Sequence, residues 1–200
     1  LGIYLRNGIR ADKVDRELLH LMKLSGVMRV AFAPESGSQQ TLDTIIKKRL
    51  KLKDAEKAVR LAKEEGLDVT CFLVIGFPEE DMGKIKQTIA FGRRLRRIGC
   101  DTLWISCAVP YPGTELYCDC LKRGILSPGH LDYQSLSPSE SVIHNECFSS
   151  QEVTKMARDF MLELNQRGLR DSLRVANRRF KLLVNHPGMA LKKSIRYFKN

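Results

Sequence analysis

No stretch of this sequence approaches the roughly 20 consecutive apolar residues that span a bilayer. No basic start leads into the apolar core of a signal peptide. Aromatic residues are few, at 7%, with a single tryptophan, Trp104. The six cysteines (Cys71, Cys100, Cys107, Cys118, Cys120 and Cys147) are too scattered for the disulfide framework of a small secreted domain. Cys71 and Cys107 sit within apolar runs, where a free thiol is at home, so a reducing cytoplasm is the expected setting. Acidic residues are short in the last quarter: residues 151–200 hold 12 basic and 4 acidic side chains. Most of the net charge of +11 therefore lies after residue 150, and an anionic partner is a natural reading of it. With 43% hydrophobic and 28% charged residues over 200 positions, the chain has the composition of a folded globular protein, which excludes disorder. That length suits one domain or part of a larger one.

Apolar periodicity sets the order of elements. Gly2 to Arg6 reads as a short strand, and Asp12 opens a helical stretch with Val14, Leu18, Leu19 and Met22 on one side, closed by Gly26. Val27 to Ala33 is a compact strand, and Ser38 is placed to cap a helix over Gln39 to Lys48. Helices follow at Asp54 to Glu65 and Gly83 to Ile98, with strands at Leu67 to Ile75 and Thr102 to Val109. Thr114 caps a short helix through Leu121. Strands alternating with helices make this an α/β chain with parallel strands, an open sheet or part of a barrel. Residues 127–150, rich in Ser, Pro, Gly and His, read as a loop or linker. Ser149 with Glu152 forms a capping box for a helix from Gln151 to about Gln166. A second helix is expected from Leu169 to Val184, and a short basic one ends the chain.

Four polar, turn-rich segments each follow a strand: Arg6 to Arg10, Pro34 to Ser38, Gly76 to Glu80, and Pro110 to Thr114. In parallel α/β folds the loops leaving the carboxyl ends of strands converge on the active face. Turn geometry and helix capping also favour these residue types, so composition alone names no reaction.

The residues in those turns carry a resemblance. Val30-Ala-Phe-Ala-Pro-Glu-Ser-Gly-Ser38, Phe72-Leu-Val-Ile-Gly-Phe-Pro-Glu-Glu80 and Pro110-Tyr-Pro-Gly-Thr-Glu-Leu-Tyr117 resemble, in order and spacing, the later strands of radical S-adenosylmethionine (radical SAM) enzymes. The set is most similar to the branch carrying an N-terminal cobalamin-binding domain, the group that includes the anaerobic cyclase of bacteriochlorophyll synthesis. Asn7-Gly-Ile-Arg-Ala-Asp12 fits the turn that precedes the glutamate-serine strand there. The resemblance covers about residues 1–126. It implies the last four strands of a partial (β/α)6 TIM-like barrel, followed by the 127–150 linker and a small basic helical region over 151–200.

It also implies roles for individual residues. Glu35 and Ser36 resemble the pair facing the ribose and methionine part of S-adenosylmethionine. Gly76, Pro78 and Glu80 resemble the turn whose backbone and apolar wall hold the adenosyl group. Tyr111, Pro112 and Gly113 resemble the turn packed near the adenine. The bland counterparts are that Gly76 and Gly113 are simply turn glycines and that Glu80 complements the dipole of the next helix. The sequence departs from the family pattern at Ala33-Pro34, where a glycine or small apolar pair is usual. It departs again at Glu79 and Asp81, where glycine and threonine are usual.

The family's reaction needs a [4Fe–4S] cluster held by Cys-x3-Cys-x2-Cys, since thiolates are the soft ligands iron–sulfur clusters take. No triplet here has that spacing, so its ligands are expected upstream of residue 1. The opening on Leu1, within what reads as the end of a strand, fits the C-terminal piece of a longer protein. Cys118 and Cys120, one residue apart on a helix, point their thiols to different sides and read as unrelated structural thiols. His130, His144 and His186 lie in loops with no partner at metal-ligand spacing. No metal ligand and no catalytic acid, base or radical relay is singled out.

Arg174, Arg178, Arg179, Lys181, Lys192, Lys193 and Arg196, with Phe180, Tyr197 and Phe198, suit a membrane surface or a solvated helical face. No arginine-glycine or RNA-binding motif argues for nucleic acid. Two functional readings follow. In the first, the whole protein reductively cleaves S-adenosylmethionine, with cobalamin as second cofactor, for methyl transfer or cyclisation on a small-molecule or lipid-like substrate. Its partners would be the upstream cluster and cobalamin domains and a reductant such as flavodoxin or ferredoxin. In the second, the chain is a cluster-less cofactor-binding or basic interaction module without catalysis.

Overall fold

A computed structural model of the chain describes residues 2–126, 131–133 and 136–164. Strands β1 (Ile3–Tyr4), β2 (Val27–Glu35), β3 (Asp68–Ile75) and β4 (Thr102–Cys107) form one parallel sheet in chain order. The intervening helices are α1 (Arg16–Leu24), α2 (Leu52–Glu64) and α3 (Met82–Arg97), and α4 (Glu115–Lys122) follows β4. A further helix, α5, begins at residue 150 and is described through 164. Residues Leu1–Met161 form one compact unit, and a second begins at Leu162. The helices expected after residue 168, with their basic side chains, lie outside the described residues.

The core sits between the sheet and its helices. Val69, Cys71, Leu73 and Ile75 alternate along β3, Leu103, Ile105 and Cys107 along β4, and all are buried. They pair in register as Cys71 with Leu103, Leu73 with Ile105 and Ile75 with Cys107, so one continuous apolar face meets the helices. Helix α2 presents Ala55, Ala58, Val59 and Ala62, and α3 presents Ile85, Ile89, Phe91 and Leu95. The intervening strand residues pair Phe72 with Trp104 and Val74 with Ser106 on the opposite face. None of these four is fully buried, and Trp104 is 53% exposed.

The helices differ from the sequence expectation in two places, one at a start and one at an end. Asp12 does not open a helix: Ala11–Lys13 is a short 3-10 turn, and Arg10 grips the Asp12 carboxylate at 3.0 and 2.9 Å. Asp15 caps α1 instead, accepting from the Leu18 N–H at 2.8 Å. Ser38 does cap its helix, accepting from the Thr41 N–H, but Thr41–Ile45 winds as a π-helix and ends before Lys48. The Ile46 N–H reaches Thr41 and the Lys48 N–H reaches Leu42, a six-residue closure that terminates the turn.

Strand β2 carries a bulge. From Phe32 to Glu35 it advances three residues while its partner advances two, from Cys71 to Leu73. Pro34 sits inside that interval and has no N–H to give the ladder, so pairing skips it. Glu35 then leaves the strand in the left-handed region, with φ 71°.

Candidate functional site

Because the strands are parallel, the turns after β2, β3 and β4 leave the same edge of the sheet, which brings the candidate residues to one end. The earlier segment joins them: the Ile9 N–H donates to Ala31 at 2.8 Å, setting Arg10 beside the end of β2.

At β2, the Glu35 side chain is about a quarter exposed, and its Oε1 accepts from Lys48 Nζ at 2.9 Å. The same ammonium donates to the Ala33 carbonyl at 2.5 Å. Ser36 turns inward: it is fully buried and its hydroxyl pairs with Thr88 of α3 at 3.0 Å while accepting from the Ser38 N–H. The Thr88 hydroxyl also accepts from the Gly37 N–H at 3.0 Å. A Cβ at Gly37 would lie 2.3 Å from Phe91 Cβ, so glycine lets the turn lie directly on α3. Glu35 faces out of this turn, and Ser36 is spent holding it down.

At β3, the Glu80 carboxylate folds back into its own turn. Its Oε2 accepts from the N–H groups of Gly76 and Phe77 at 2.8 and 3.1 Å, and its Oε1 accepts from the Thr41 hydroxyl at 3.3 Å. Burial pushes the Glu80 carboxyl above the usual range, outweighing the two N–H donors and Thr41, which favour the ionised form. Gly76 has φ 85°, and a Cβ there would meet Val153 of α5 at 2.9 Å. Pro78 is buried, and Asn145 donates to its carbonyl at 2.9 Å. Glu79 has no positive φ, so the turn does not call for the glycine usual there, and it pairs with Arg123 at 3.0 Å. Asp81, in place of the usual threonine, is the N-cap of α3 and accepts from the Lys84 N–H at 2.9 Å.

At β4, Tyr111, Pro112 and Gly113 are exposed. Gly113 has φ 86° with nothing within 4 Å of where a Cβ would stand. Tyr111 stacks at a tilt on Tyr133, 5.7 Å between ring centroids, and Tyr133 donates to the Pro110 carbonyl at 3.0 Å. Thr114 caps α4 through the Tyr117 N–H. Beside these turns, a cleft of about 580 Å3 opens between the π-turn, the β3 turn and α4, lined by residues including Lys47, Phe77, Glu79 and Cys118.

Sequence reasoning missed Lys48, Thr41, Thr88 and Asn145, the four side chains that hold the site together. Thr88 left a trace, as a polar residue on the apolar stripe of α3 beside Ile85 and Ile89. Lys48 left none beyond its place in a basic run.

The model of the radical SAM superfamily matches residues 3–92, which contain β1 to β3 and their turns. That segment is similar to the radical SAM superfamily. The chain is 29% identical over 158 residues to a cytidylyl-2-hydroxyethylphosphonate methyltransferase of Streptomyces wedmorensis, covering 78% of this chain and 30% of that protein. Among solved structures it resembles the radical SAM coproporphyrinogen III oxidase of Escherichia coli at TM-score 0.55 and 11% identity, covering 84% of this chain and 32% of that one. It also resembles a radical S-adenosylmethionine methyltransferase of Kitasatospora setae, solved with cobalamin and a [4Fe–4S] cluster bound. There the TM-score is 0.52 and the identity 18%, over 76% of this chain and 29% of that one. The fold is thus that of a radical SAM partial barrel, and the chain spans about a third of the length of these relatives.

Radical SAM chemistry asks for two groups, and the described residues meet them unequally. Among the described residues no group of three metal-ligating side chains exists. Cys71, Cys100, Cys107 and Cys120 are buried, while Cys118 and Cys147 are exposed. These thiols do not fit a three-thiolate cluster. Cys118 is exposed and Cys120 buried, so the two thiols point to different sides of α4. An adenosyl group fits better. Glu35 Oε2 has no hydrogen bond among the described residues, and Gly113 leaves an open, Cβ-free surface. Ser36, Gly76, Pro78 and Glu80 shape the turns between these two points.

Proposed function

We propose that this chain supplies the adenosyl-binding wall of a radical SAM methyltransferase. The observation that supports it most directly is the partly exposed Glu35 carboxylate, held at the sheet edge where the β3 and β4 turns also emerge. When bound, S-adenosylmethionine with a reduced [4Fe–4S] cluster supplies a 5′-deoxyadenosyl radical able to abstract hydrogen from an unreactive carbon. Within this chain, Glu35 accepts hydrogen bonds from sugar hydroxyls. The buried Glu80 turn fixes the backbone from Gly76 to Glu80, and Tyr111 to Gly113 offers an exposed wall for the adenine. Methyl transfer is favoured over cyclisation because the matched Streptomyces protein is a methyltransferase. Cobalamin as second cofactor draws support from the Kitasatospora structure, which shares the fold. The cluster, the cobalamin and contacts to an electron donor such as flavodoxin or ferredoxin belong to other parts of the whole protein. Six free thiols suit a reducing cytoplasm.

The test is anaerobic reconstitution of the full-length protein with iron and sulfide, followed by S-adenosylmethionine and dithionite. Formation of 5′-deoxyadenosine or S-adenosylhomocysteine is expected, together with loss of cofactor binding in Glu35→Ala. Binding without turnover would indicate a cluster-less cofactor-binding module, and absence of binding would sink the adenosyl reading.

A further inference from the structure

Among the described residues only Glu35, Lys47 and Arg49 are non-glycine residues with positive φ, at 71°, 56° and 52°. Glu35 is one partner of an ion pair with Lys48, and Lys47 and Arg49 flank the other partner in the chain. Backbone strain in L-residues persists where the surroundings over-determine it, and it gathers at functional sites. Here its geometric consequence is visible. The π-turn Thr41–Ile45 closes through Lys47 in the left-handed region, as the Lys48 N–H bonds to Leu42 at 2.9 Å. Arg49, left-handed again, turns the chain a second time. Between these bends the Lys48 side chain runs back to the end of β2. Arg10 secures the segment from the other side by donating to the Lys48 carbonyl at 3.3 Å.

The Lys48 ammonium bonds at both ends of the strand bulge, to the Ala33 carbonyl at 2.5 Å and to Glu35 Oε1 at 2.9 Å. It thus spans Pro34, the residue that breaks the ladder. Both side chains of the pair are about four-fifths to three-quarters covered, at 21% and 26% exposure, so the pair is partly shielded from screening. A carboxylate only accepts hydrogen bonds. With Oε1 taken by the ammonium, Oε2 is the acceptor presented outward, and the ligand group it suits is a hydroxyl.

We propose that Lys48 is a positioning residue of the adenosyl site. It clamps the Glu35 carboxylate across the β2 bulge so that Oε2 receives a ribose hydroxyl of the ligand. This rests on the reading that the site binds S-adenosylmethionine, and it adds the residue that gives Glu35 its aim.

The test uses the full-length protein and isothermal titration with S-adenosylhomocysteine, alongside its 2′,3′-dideoxy analogue. Lys48→Met is expected to weaken binding of the hydroxylated ligand about tenfold, as loss of a charge-assisted arrangement does. It should leave the dideoxy analogue unaffected, and Lys48→Arg should recover most of the affinity. Glu35→Gln should match Lys48→Met, with the double variant no weaker than either single one. Lys48→Gln is the second arm if Lys48→Met does not fold, read by the same contrast between the two ligands. Unchanged affinity in the Lys48 variants, or an equal loss for both ligands, overturns the positioning role while leaving the site's ligand intact. No binding by the wild-type protein would instead overturn the adenosyl reading, and the Lys48 role with it.

Discussion

The side-chain amide of Asn145 donates to the backbone carbonyl of Glu80 at 2.8 Å. The same nitrogen donates to Pro78 at 2.9 Å, and the amide oxygen accepts from the N–H groups of Cys147 and Phe148 at 2.8 and 2.9 Å. One side chain uses all four of its hydrogen-bonding positions. It joins a turn after β3 to a loop far along the sequence. Asn145→Ala is therefore expected to destabilise the protein by about 2 kcal/mol. The measurement is a shift of the urea midpoint at constant slope. Asn145→Asp, which loses both donors, should cost a similar amount at neutral pH.

Glu80 makes stability depend on pH in a defined direction. Its carboxyl is raised in the folded chain, mainly by burial, and returns to the ordinary range on unfolding. Between those two ranges the folded state binds more protons than the unfolded one. Stability contributed by this group is thus complete below the ordinary carboxylate range and falls as pH rises through the raised one. Denaturation midpoints across mildly acidic to neutral pH should show the decline in wild type and lack that component in Glu80→Gln. A parallel decline in both proteins would assign the effect to other groups.

Lys47 stands where a helix end normally takes glycine, with φ 56°. Its ion pair with Glu115 at 2.8 Å joins two well-exposed side chains and contributes little. Lys47→Gly is expected to stabilise the fold by about 0.5 to 1 kcal/mol through relief of the left-handed strain. Thermal melting reads this directly, and an unchanged or lower midpoint contradicts it.

The thiols divide by environment. Burial pushes Cys107 up to about 12 and Cys120 up to about 11. Cys71 is raised well above the ordinary range by its contact with Cys100 and by burial. Reactive thiols are exposed thiolates. Maleimide labelling of the native protein at neutral pH should modify Cys118 and Cys147 quickly and the other four only after unfolding, as peptide mapping would show.

The sheet was legible because buried parallel strands are near-continuous apolar runs, as Val69 to Ile75 shows, and because turn residues punctuate them. Ser38, Thr114 and the Ser149–Glu152 box cap helices as their spacing indicates, since capping is a local interaction. Asp12 misled because Arg10, two residues earlier, takes its carboxylate, leaving Asp15 to cap α1. The π-turn was hidden because Gln39 to Lys48 has ordinary helical periodicity, and only the closure onto Leu42 ends it early. In the site, the strand-end positions of Glu35 and Glu80 were readable. Their different uses were not, because Lys48, Thr41 and Asn145 reach them from 13, 39 and 65 residues away. Pro34 was noticed as a departure from the family pattern; the sheet register shows it at the bulge that precedes Glu35.

The single tryptophan stands beside Phe72 on the sheet face away from the helices, half exposed to water. Intrinsic fluorescence excited at the indole therefore comes from that surface alone, unmixed with signal from the core. Any domain, substrate or cofactor that covers the face would dry the ring and move its emission to the blue. The chain carries its own optical gauge of whether the inside of the barrel is wet or filled.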